Sequence, residues 1–295
     1  MVQIDKNESN ISVYQSAFAG GVSGSVTRAL AQPLDILKIR FQLQVEPIQS
    51  GSKYSSIFQA FTSIIKEEGT TTLWSGHIPA QLLSISYGLV QFSVYEKLTQ
   101  TCQQVDREFY NTHKHWINFS NGGIAASIAT IVSFPFDTVR TRLIAEQKTK
   151  KAYKGFLNAV AVMMKNEGAL AFFKGIIPTI AQIGPHAGVF NSNQESTLTA
   201  NLLAGGIAGI VSKTVIYPFD VVKKRLQIQG FQQHRYFFGK QMYCTGVMSC
   251  VKLIVTEEGF LALYKGYCPS MLKAMFVSAL HFAIYDEIKH IILRL

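Results

Sequence analysis

The chain has 295 residues, of which 48% are hydrophobic and only 16% charged. This composition is too apolar for a disordered chain and unusual for a soluble enzyme. The formal net charge of +10 indicates anionic partners, such as phosphorylated solutes or acidic lipid headgroups. The basic residues form short matched clusters beside apolar segments and do not follow one polar face, which argues against nucleic acid as a partner.

In the first part of the chain, the pattern predicts a long helix from about Val13, and we expect Pro33 to kink it because proline removes a backbone donor. A polar loop over Val45–Lys53 follows. The next segment predicts a short amphipathic helix that ends before Gly69, and then a second long apolar helix over about Pro79–Gln100.

The end of the first long helix carries an eight-residue pattern that occurs three times. In it an acid stands two residues after a proline, a base three residues later and a second base two after that. The copies are Pro33–Arg40, Pro135–Arg142 and Pro218–Arg225. An acid and a base three residues apart lie on one face of a helix. Three copies in phase predict one domain over 1–295, with repeats over about 13–102, 115–193 and 198–295.

The glycine and proline offsets of the first repeat recur in the other two. Each short helix ends at a Glu-Gly pair, and a second glycine and a proline open the next long helix; the glycines are Gly69 and Gly76, Gly168 and Gly175, Gly259 and Gly266. This rhythm predicts an all-α protein with six long and three short helices. We expect the long helices to cross a membrane, because Gly-rich faces and basic clusters at matching helix ends suit lipid better than the alternative, a soluble bundle.

Two further features limit the location and chemistry of the chain. Met1–Asn10 lacks both an apolar signal core and an Arg-rich amphipathic pattern, so we expect any organelle address to be internal. Cys102, Cys244, Cys250 and Cys268 form no CxxC pair and no zinc spacing, so we expect four reduced thiols, no metal site and no cofactor.

The triple motif, with Glu-Gly and Gly-x-x-Pro between its copies, resembles the mitochondrial carrier family over about Val13–Leu295. The resemblance implies a monomeric, multi-pass carrier of the mitochondrial inner membrane. It implies six transmembrane helices in a pseudo-threefold bundle, three short amphipathic helices on the matrix side and transport by alternating access.

The charged motifs predict a gate at the matrix end of this bundle. Three kinked helices around an axis could join their acids and bases into a ring of ion pairs, formed by Asp35, Lys38, Asp137, Arg140, Asp220 and Lys223. A permanent brace is the alternative role. The family often has a glutamine brace nine residues after each proline, which Gln42 and Gln227 match and Ile144 does not.

The opposite, cytoplasmic gate of the family is less complete. Asp286 and Lys289 match its acid and base, Glu96 keeps the acid while Thr99 replaces the base, and no copy is present in the fourth helix. The chain is also short there, because 56 residues separate Pro79 from Pro135 but 40 separate Pro178 from Pro218, a difference of 16. We expect a fourth helix that ends near Asn193, about 24 Å long against a bilayer core of about 30 Å.

A cavity above the matrix gate is the predicted solute site. Five residues before the three prolines stand Arg28, Thr130 and Lys213, and seven after the even-helix glycines stand Leu83, Gln182 and Lys273. The latter three correspond to the substrate contact points of the family. Ionisable residues at membrane depth are functional candidates, and three cations with no nearby acid, Arg28, Lys213 and Lys273, favour a polyanion such as a diphosphate. Further hydrogen bonds or stacking could come from Tyr87, Gln91, His281 and Phe276.

Three aromatic-Lys-Gly strings resemble the cardiolipin sites of the family: Phe173–Gly175, Tyr264–Gly266 and Tyr153–Gly155. Helix N-terminal amides can hold phosphate there. Trp74-Ser75-Gly76 lacks the cation, so we expect a weaker site in the first repeat.

The cations, with a subfamily likeness over Pro33–Gln44, Gly76–Gln81, Val211–Thr214 and Gly230–Gly239, imply exchange of thiamine pyrophosphate for nucleotides. A carrier of another phosphorylated cofactor, such as an adenine nucleotide or coenzyme A, is one alternative. A transport-incompetent form with a short fourth helix is another. An enzyme fits least, since GxxxxGK[ST], HExxH and GxSxG motifs are all missing.

Overall fold

A computed structural model describes residues 13–45, 48, 52–146, 152–183, 198–231 and 243–294. All regular structure in these ranges is helical. The α-helices are α1 (Val13–Leu43), α2 (Ile57–Glu68), α3 (His77–Val105), α4 (Arg107–Thr112), α5 (Lys114–Ala145), α6 (Phe156–Glu167), α7 (Ile176–Ala181), α8 (Leu198–Gln227), α9 (Val247–Glu258) and α10 (Tyr267–Arg294). Short 3₁₀ turns over Thr70–Trp74, Ala169–Phe173 and Phe260–Tyr264 precede α3, α7 and α10.

The first long helix of each repeat has the predicted form. Helices α1, α5 and α8 have 31, 32 and 30 residues, and each continues through its internal proline. Helix α8 begins twenty residues before Pro218, as α1 begins twenty before Pro33. The first and fifth long helices therefore begin at the same distance from their prolines.

The three short amphipathic helices are also confirmed. Helices α2, α6 and α9 have 12 residues each. Each ends at a glycine of the predicted Glu-Gly pair, with φ between 77° and 86°, a backbone region that favours glycine. Each buries one face through residues at the same two positions, Ala60 and Ile64, Ala159 and Met163, Cys250 and Ile254.

The second long helix of each repeat differs more between copies. Helices α3 and α10 have 29 and 28 residues, whereas α7 has six. The predicted end of the fourth helix near Asn193 lies outside the described residues. Gly175 and Leu198 are separated by only 22 residues, which must supply both a helix and its connection to α8.

Two segments of the described chain are long and apolar enough to cross a membrane, α5 and Phe260–Ile288, which contains most of α10. The other long helices of the described chain, α1, α3 and α8, contain no stretch that is apolar enough by the same measure. By length and composition alone, the described chain therefore supports two of the six predicted spans.

The long helices contact one another at the ends that were predicted to lie on the matrix side. The buried apolar core lies at these ends. Helix α1 packs along α10, and α3 packs along α5. One apolar cluster joins the ends of α1 and α5 to α2 and α6, and a second joins α8 to α9.

Three positive-φ glycines set the distance between neighbouring repeats. Gly76, Gly175 and Gly266 precede α3, α7 and α10 and have φ of 72°, 90° and 81°. A Cβ atom on each would lie 3.1, 3.0 and 2.8 Å from a backbone carbonyl oxygen of a neighbouring long helix. These oxygens belong to Arg140, Lys223 and Lys38, the bases of the predicted matrix gate.

The expectation of four reduced thiols is wrong for one pair. Cys244 and Cys250 form a disulfide, with Cα atoms 4.9 Å apart, while Cys102 and Cys268 are free. The extended residues before α9 bring Cys244 onto the buried first turn of that helix. Spacing rules for metals and CxxC motifs do not detect such a pair.

Candidate solute site and gates

Three ion pairs connect α1, α5 and α8 in a closed ring. They are Asp35 Oδ2 with Arg140 Nη2 (2.6 Å), Asp137 Oδ2 with Lys223 Nζ (2.8 Å) and Asp220 Oδ2 with Lys38 Nζ (3.1 Å). Each pair joins the acid of one helix to the base of another, because the proline motif places both on the face toward the axis. The predicted ring geometry is therefore present, and every side chain in it is buried or nearly so.

Each ring carboxylate also has a second partner. Lys273 Nζ lies 2.6 Å from Asp35 Oδ1, and Gln182 Nε2 donates to Asp220 Oδ1 at 3.1 Å. Lys273 was predicted to be a cation without a nearby acid, and that prediction is wrong. The reason is geometric, since Lys273 on α10 lies beside α1 and reaches the acid of that helix.

The second partner of Asp137 is Lys224, whose Nζ lies 2.9 Å from Asp137 Oδ1. Sequence reasoning missed this lysine. A signal was present, because Lys224 stands at a motif position that holds Ile39 and Thr141 in the other repeats. Lys224 also donates to Thr141 Oγ1 at 2.9 Å.

The two predicted glutamine braces behave differently. Gln227 donates from Nε2 to Asp137 Oδ2 at 2.8 Å and accepts from Lys224 Nζ at 3.0 Å, so it contacts its ion pair directly. Gln42 instead donates to the Tyr217 hydroxyl at 3.2 Å. A direct brace at Gln42 is therefore contradicted. The Tyr217 hydroxyl in turn donates to the Lys265 carbonyl, so Tyr217 takes the hydrogen bond of Gln42 that was predicted for the ion pair.

A second charged layer, also missed by the sequence analysis, lies beyond the ring. The last arginine of each motif forms a two-pronged ion pair with the glutamate before the short-helix glycine; the pairs are Arg40–Glu68, Arg142–Glu167 and Arg225–Glu258. Each guanidinium also donates to a carbonyl near the end of another long helix, at Ile144 (3.3 Å), Gln227 (3.1 Å) and Gln42 (3.2 Å). The layer thus satisfies helix-end carbonyls that lack intrahelical partners.

This layer perturbs Glu167, the last residue of the short helix α6. Burial opposes its ionisation, but hydrogen bonds and charges from Arg142 and Lys174 outweigh burial and hold the pKa of Glu167 below its ordinary value.

Two predicted cations remain without a carboxylate partner in the described part of the chain. Arg28 Nη1 donates to the Ala80 carbonyl at 3.3 Å, and Lys213 Nζ donates to the Ser270 carbonyl at 2.8 Å. Both are half-buried. Lys213 also experiences the charges of Lys38 and Lys273, so positive charge accumulates directly beside the ring.

A cavity of about 660 Å³ opens between α3, α5 and the C-terminal end of α7. Its lining includes the predicted residues Gln91, Gln182, Tyr87 and Thr130. Leu83 is half-buried on α3 and does not line it. Because Gln182 also donates to Asp220, one side chain connects this cavity to the ring.

Two other predicted solute contacts lie on α10. His281 is exposed, and its Nδ1 is 3.3 Å from Ser23 Oγ, which donates to the His281 carbonyl at 3.1 Å. Phe276 has an exposed side chain. His281 therefore connects α10 to α1, the pair of helices that also shares the Lys273–Asp35 contact.

The two described acids of the predicted cytoplasmic gate lie on the surface. Glu96 is exposed and accepts a hydrogen bond from Gln100 Nε2 at 3.2 Å within its own helix. Asp286 is exposed, and the side chain of Lys289 lies outside the described residues.

Two surface pockets contain predicted lipid residues. A pocket of about 660 Å³ is lined by Gly175 and Gly246, and one of about 320 Å³ by Gly76 and Gly155. Gly266 instead packs against the Lys38 carbonyl. The lysines of two strings bond inward: Lys174 and Lys265 pair with Glu167 and Glu258. A missing lysine in the first repeat therefore removes an internal ion pair.

A threefold helical bundle that is closed at one end by ion pairs and carries unpaired cations beside them has the architecture of a solute carrier. The chain belongs to the mitochondrial carrier family, because the family model described as "Mitochondrial carrier protein" matches residues 9–106, 111–193 and 194–295. Members of this family are transporters, and the chain is a multi-pass protein of the mitochondrial inner membrane.

Curated relatives are similar over almost the whole chain. The mitochondrial thiamine pyrophosphate carrier of Homo sapiens is 40% identical over 296 residues, covering 94% of this chain and 92% of the relative. That of Bos taurus is 42% identical over 304 residues, covering 96% and 93%. Mitochondrial thiamine pyrophosphate carrier 1 of Coccidioides immitis is 34% identical over 298 residues, covering 95% and 93%.

Proposed function

We propose that the chain carries thiamine pyrophosphate across the mitochondrial inner membrane, in exchange for nucleotides and by alternating access. The observation that carries the proposal is the cluster of Arg28, Lys213 and Lys273 beside the closed ring, two of them without a carboxylate partner in the described structure. A diphosphate supplies enough negative charge to satisfy several cations at once. The names of the relatives support thiamine pyrophosphate as the solute.

The proposed bundle has six transmembrane helices: α1, α3, α5, α8, α10 and the helix that begins with α7. Charged residues of α1 and α8 would then face the interior of the bundle, which explains their low apolar character as spans. The short helices α2, α6 and α9 would lie on the matrix side. We further propose a monomer with cardiolipin at Gly175, Gly266 and Gly155, and a weaker site at Gly76; Gly175 and Gly155 each line a surface pocket.

The ring of Asp35, Asp137 and Asp220 would act as the matrix gate. Exposed ion pairs contribute only about 0–1 kcal/mol each, and more when partly buried, so three pairs can hold a closed state that bound solute is able to open. Gln227 would strengthen one pair. Glu96, Asp286 and Lys289 would form an incomplete gate on the cytoplasmic side.

Uptake of labelled thiamine pyrophosphate into proteoliposomes tests the proposal. We expect uptake that is faster with internal nucleotide and that falls at least tenfold in Arg28→Gln and Lys213→Gln variants. Adenine nucleotides and coenzyme A in the same assay examine the alternative solutes. Thiamine pyrophosphate uptake indistinguishable from that of empty liposomes would overturn the proposal, if a version with a lengthened fourth helix behaves in the same way.

A transport-incompetent form remains the second candidate, and the short spacing between Gly175 and Leu198 favours it. Inserting 16 residues after Ile183, taken from a relative, supplies the comparison. Uptake by the lengthened chain but not by the natural one would establish this second candidate. Equal uptake by both would remove it.

A further inference from the structure

A lysine ammonium group fills the same position at two of the interfaces between repeats. It lies between the glutamate that ends a short helix and a carbonyl oxygen at the end of a neighbouring long helix; the two sets are Lys174, Glu167 and Gln229, and Lys265, Glu258 and Gln44. The ammonium nitrogen lies 2.9 Å from the carbonyl oxygen in the first set and 3.1 Å in the second. This position therefore accepts a cation in two independent copies.

The interface between the first and second repeats keeps both oxygen acceptors but has Ser75 in place of the lysine. The backbone angles of Ser75 are close to those of the two lysines. The acceptors here are Glu68 Oε2 and the Glu146 carbonyl oxygen, and Arg40 Nη2 donates to both, at 2.7 and 3.5 Å. The arginines of the other two interfaces make the same pair of contacts. The two oxygens are therefore close together, but a serine side chain ends well short of the place that a lysine ammonium reaches.

This interface is also more negative than the other two. Glu146 stands eleven residues after its motif proline, where Gln44 and Gln229 stand in the other repeats. Serine for lysine removes one positive charge and glutamate for glutamine adds one negative charge, so the interface is more negative by two charges. Glu68 and Glu146 are 5% and 8% exposed, and both line the pocket of about 320 Å³ at this interface. Buried carboxylates of this kind favour a counter-charge.

The lysine contacts also indicate which cation fits. The ammonium groups of Lys174 and Lys265 lie 2.8–3.1 Å from the carbonyl oxygens of Gln229, Gln44 and Val45. Potassium and ammonium ions have nearly the same radius, so potassium fits such distances. Calcium and magnesium need shorter ones, about 2.3–2.6 Å and about 2.0–2.1 Å. Carboxylate and carbonyl oxygens are also the ligands that hard cations prefer.

We propose that a monovalent cation of the size of potassium binds between the first and second repeats, held by the Glu68 carboxylate and the Glu146 carbonyl oxygen. The Glu146 carboxylate supplies further negative charge beside it. The ion does there what the two lysine ammonium groups do at the other interfaces, namely join a short helix to the end of the next repeat's long helix. Lys154 also lines the pocket, but it is exposed to solvent. The cation site is independent of the transported solute.

Thermal unfolding of the full-length chain, in non-ionic detergent micelles without added lipid, tests the site. The two salts compared are potassium chloride and tetramethylammonium chloride, which have the same ionic strength but differ in cation size. At about 100 mM salt, with half-saturation at roughly 10–30 mM, we expect potassium to raise the melting temperature by about 2–3 °C relative to tetramethylammonium. Ammonium chloride should act as potassium does, because a lysine side chain ends in the same kind of group.

Three variants assign the effect to this interface. Ser75→Lys supplies the ammonium covalently, so we expect the difference between the two salts to fall below about 0.5 °C. Ser75→Ala is the matched control, because it changes the same residue without adding a charge, and it should keep the potassium effect. Glu146→Gln restores the residue of the other two interfaces at almost unchanged size, and it should reduce the effect to about half or less.

Equal melting temperatures of the unmodified chain in potassium and tetramethylammonium chloride would overturn the proposal, and a water molecule in place of the ion would give that result. A potassium effect that survives in Ser75→Lys would also overturn it, because the ion would then bind elsewhere. If Ser75→Lys does not fold, Glu146→Gln decides, and an undiminished potassium effect in that variant would count against the site. An effect that appears only after cardiolipin is added would belong to the lipid and would likewise overturn the proposal.

Discussion

The glycines that open the second long helices provide the sharpest test of the packing. Replacing Gly266 by alanine adds a Cβ atom 2.8 Å from the Lys38 carbonyl oxygen and 3.0 Å from the Tyr217 hydroxyl oxygen. The backbone φ of 81° is also strained for alanine. The substitution therefore combines a conformational cost with a collision against the helix that carries the gate.

The two costs can be separated with Gly259→Ala. Gly259 has φ of 86°, almost the same as Gly266, but no atom lies within 4 Å of its would-be Cβ. Conformational strain alone costs about 1–3 kcal/mol, because φ of 86° with ψ of 165° at Gly259 is a backbone region that almost only glycine adopts. The collision adds about 1–3 kcal/mol, because a rigid carbonyl on a packed helix yields less than a flexible side chain.

Thermal unfolding of the purified chain in micelles measures the difference. At about 2 °C per kcal/mol for a chain of this size, we expect Gly259→Ala to lower the melting temperature by about 2–6 °C and Gly266→Ala by about 4–12 °C. Equal losses in the two variants would show that Gly266 is required only for its backbone angle. The close approach to Lys38 would then have no energetic role.

Three further predictions follow from the charged layers. Lys224→Met should lower the free energy of unfolding by about 1–3 kcal/mol, measured by thermal unfolding, because Asp137 loses a buried partner; an unchanged value would refute this. Glu167→Gln should lower the free energy of unfolding at pH 7. The difference from the unmodified chain should shrink as the pH falls below the ordinary Glu pKa of 4.5, because a carboxyl with a lowered pKa stabilises the fold only while it is ionised. A difference that does not change with pH would refute the ion pair between Glu167 and Arg142. Ser75 has φ of −57° and ψ of 134°, which resemble the angles of Lys174. Ser75→Lys should therefore raise the melting temperature by about 1–2 °C through an ion pair with Glu68, and a lower melting temperature would contradict this.

Much of the fold could be predicted because its signals are local. A glycine that must adopt positive φ ends each short helix, and proline within an apolar stretch marks each gate helix. The ring itself needed one further step. Once the acid and base of each motif share a helix face, threefold repetition brings each acid near the base of another helix, and Asp35 with Arg140 is an example.

The remaining contacts could not be predicted because they join residues far apart in sequence. Lys273 contacts Asp35 on the first helix. The position of Lys273 in the sequence predicted its depth in the bundle but not the direction of its side chain. Gln42 had the correct spacing for a brace, but it donates to the hydroxyl of Tyr217 on a neighbouring helix instead. Competition of this kind depends on rotamers and packing, which a repeat pattern does not encode.

The departures from threefold symmetry carry the function more directly than the symmetry itself. The glycine contacts and the arginine–glutamate pairs occur three times each, and they hold the helices together. A solute with one diphosphate end and one organic end has no threefold axis, so the side chains that bind it must differ between repeats. The positions that differ at cavity depth are Arg28, Thr130 and Lys213, and Leu83, Gln182 and Lys273. Two of these six, Lys273 and Gln182, contact ring carboxylates, so the departures from symmetry extend to the ring itself.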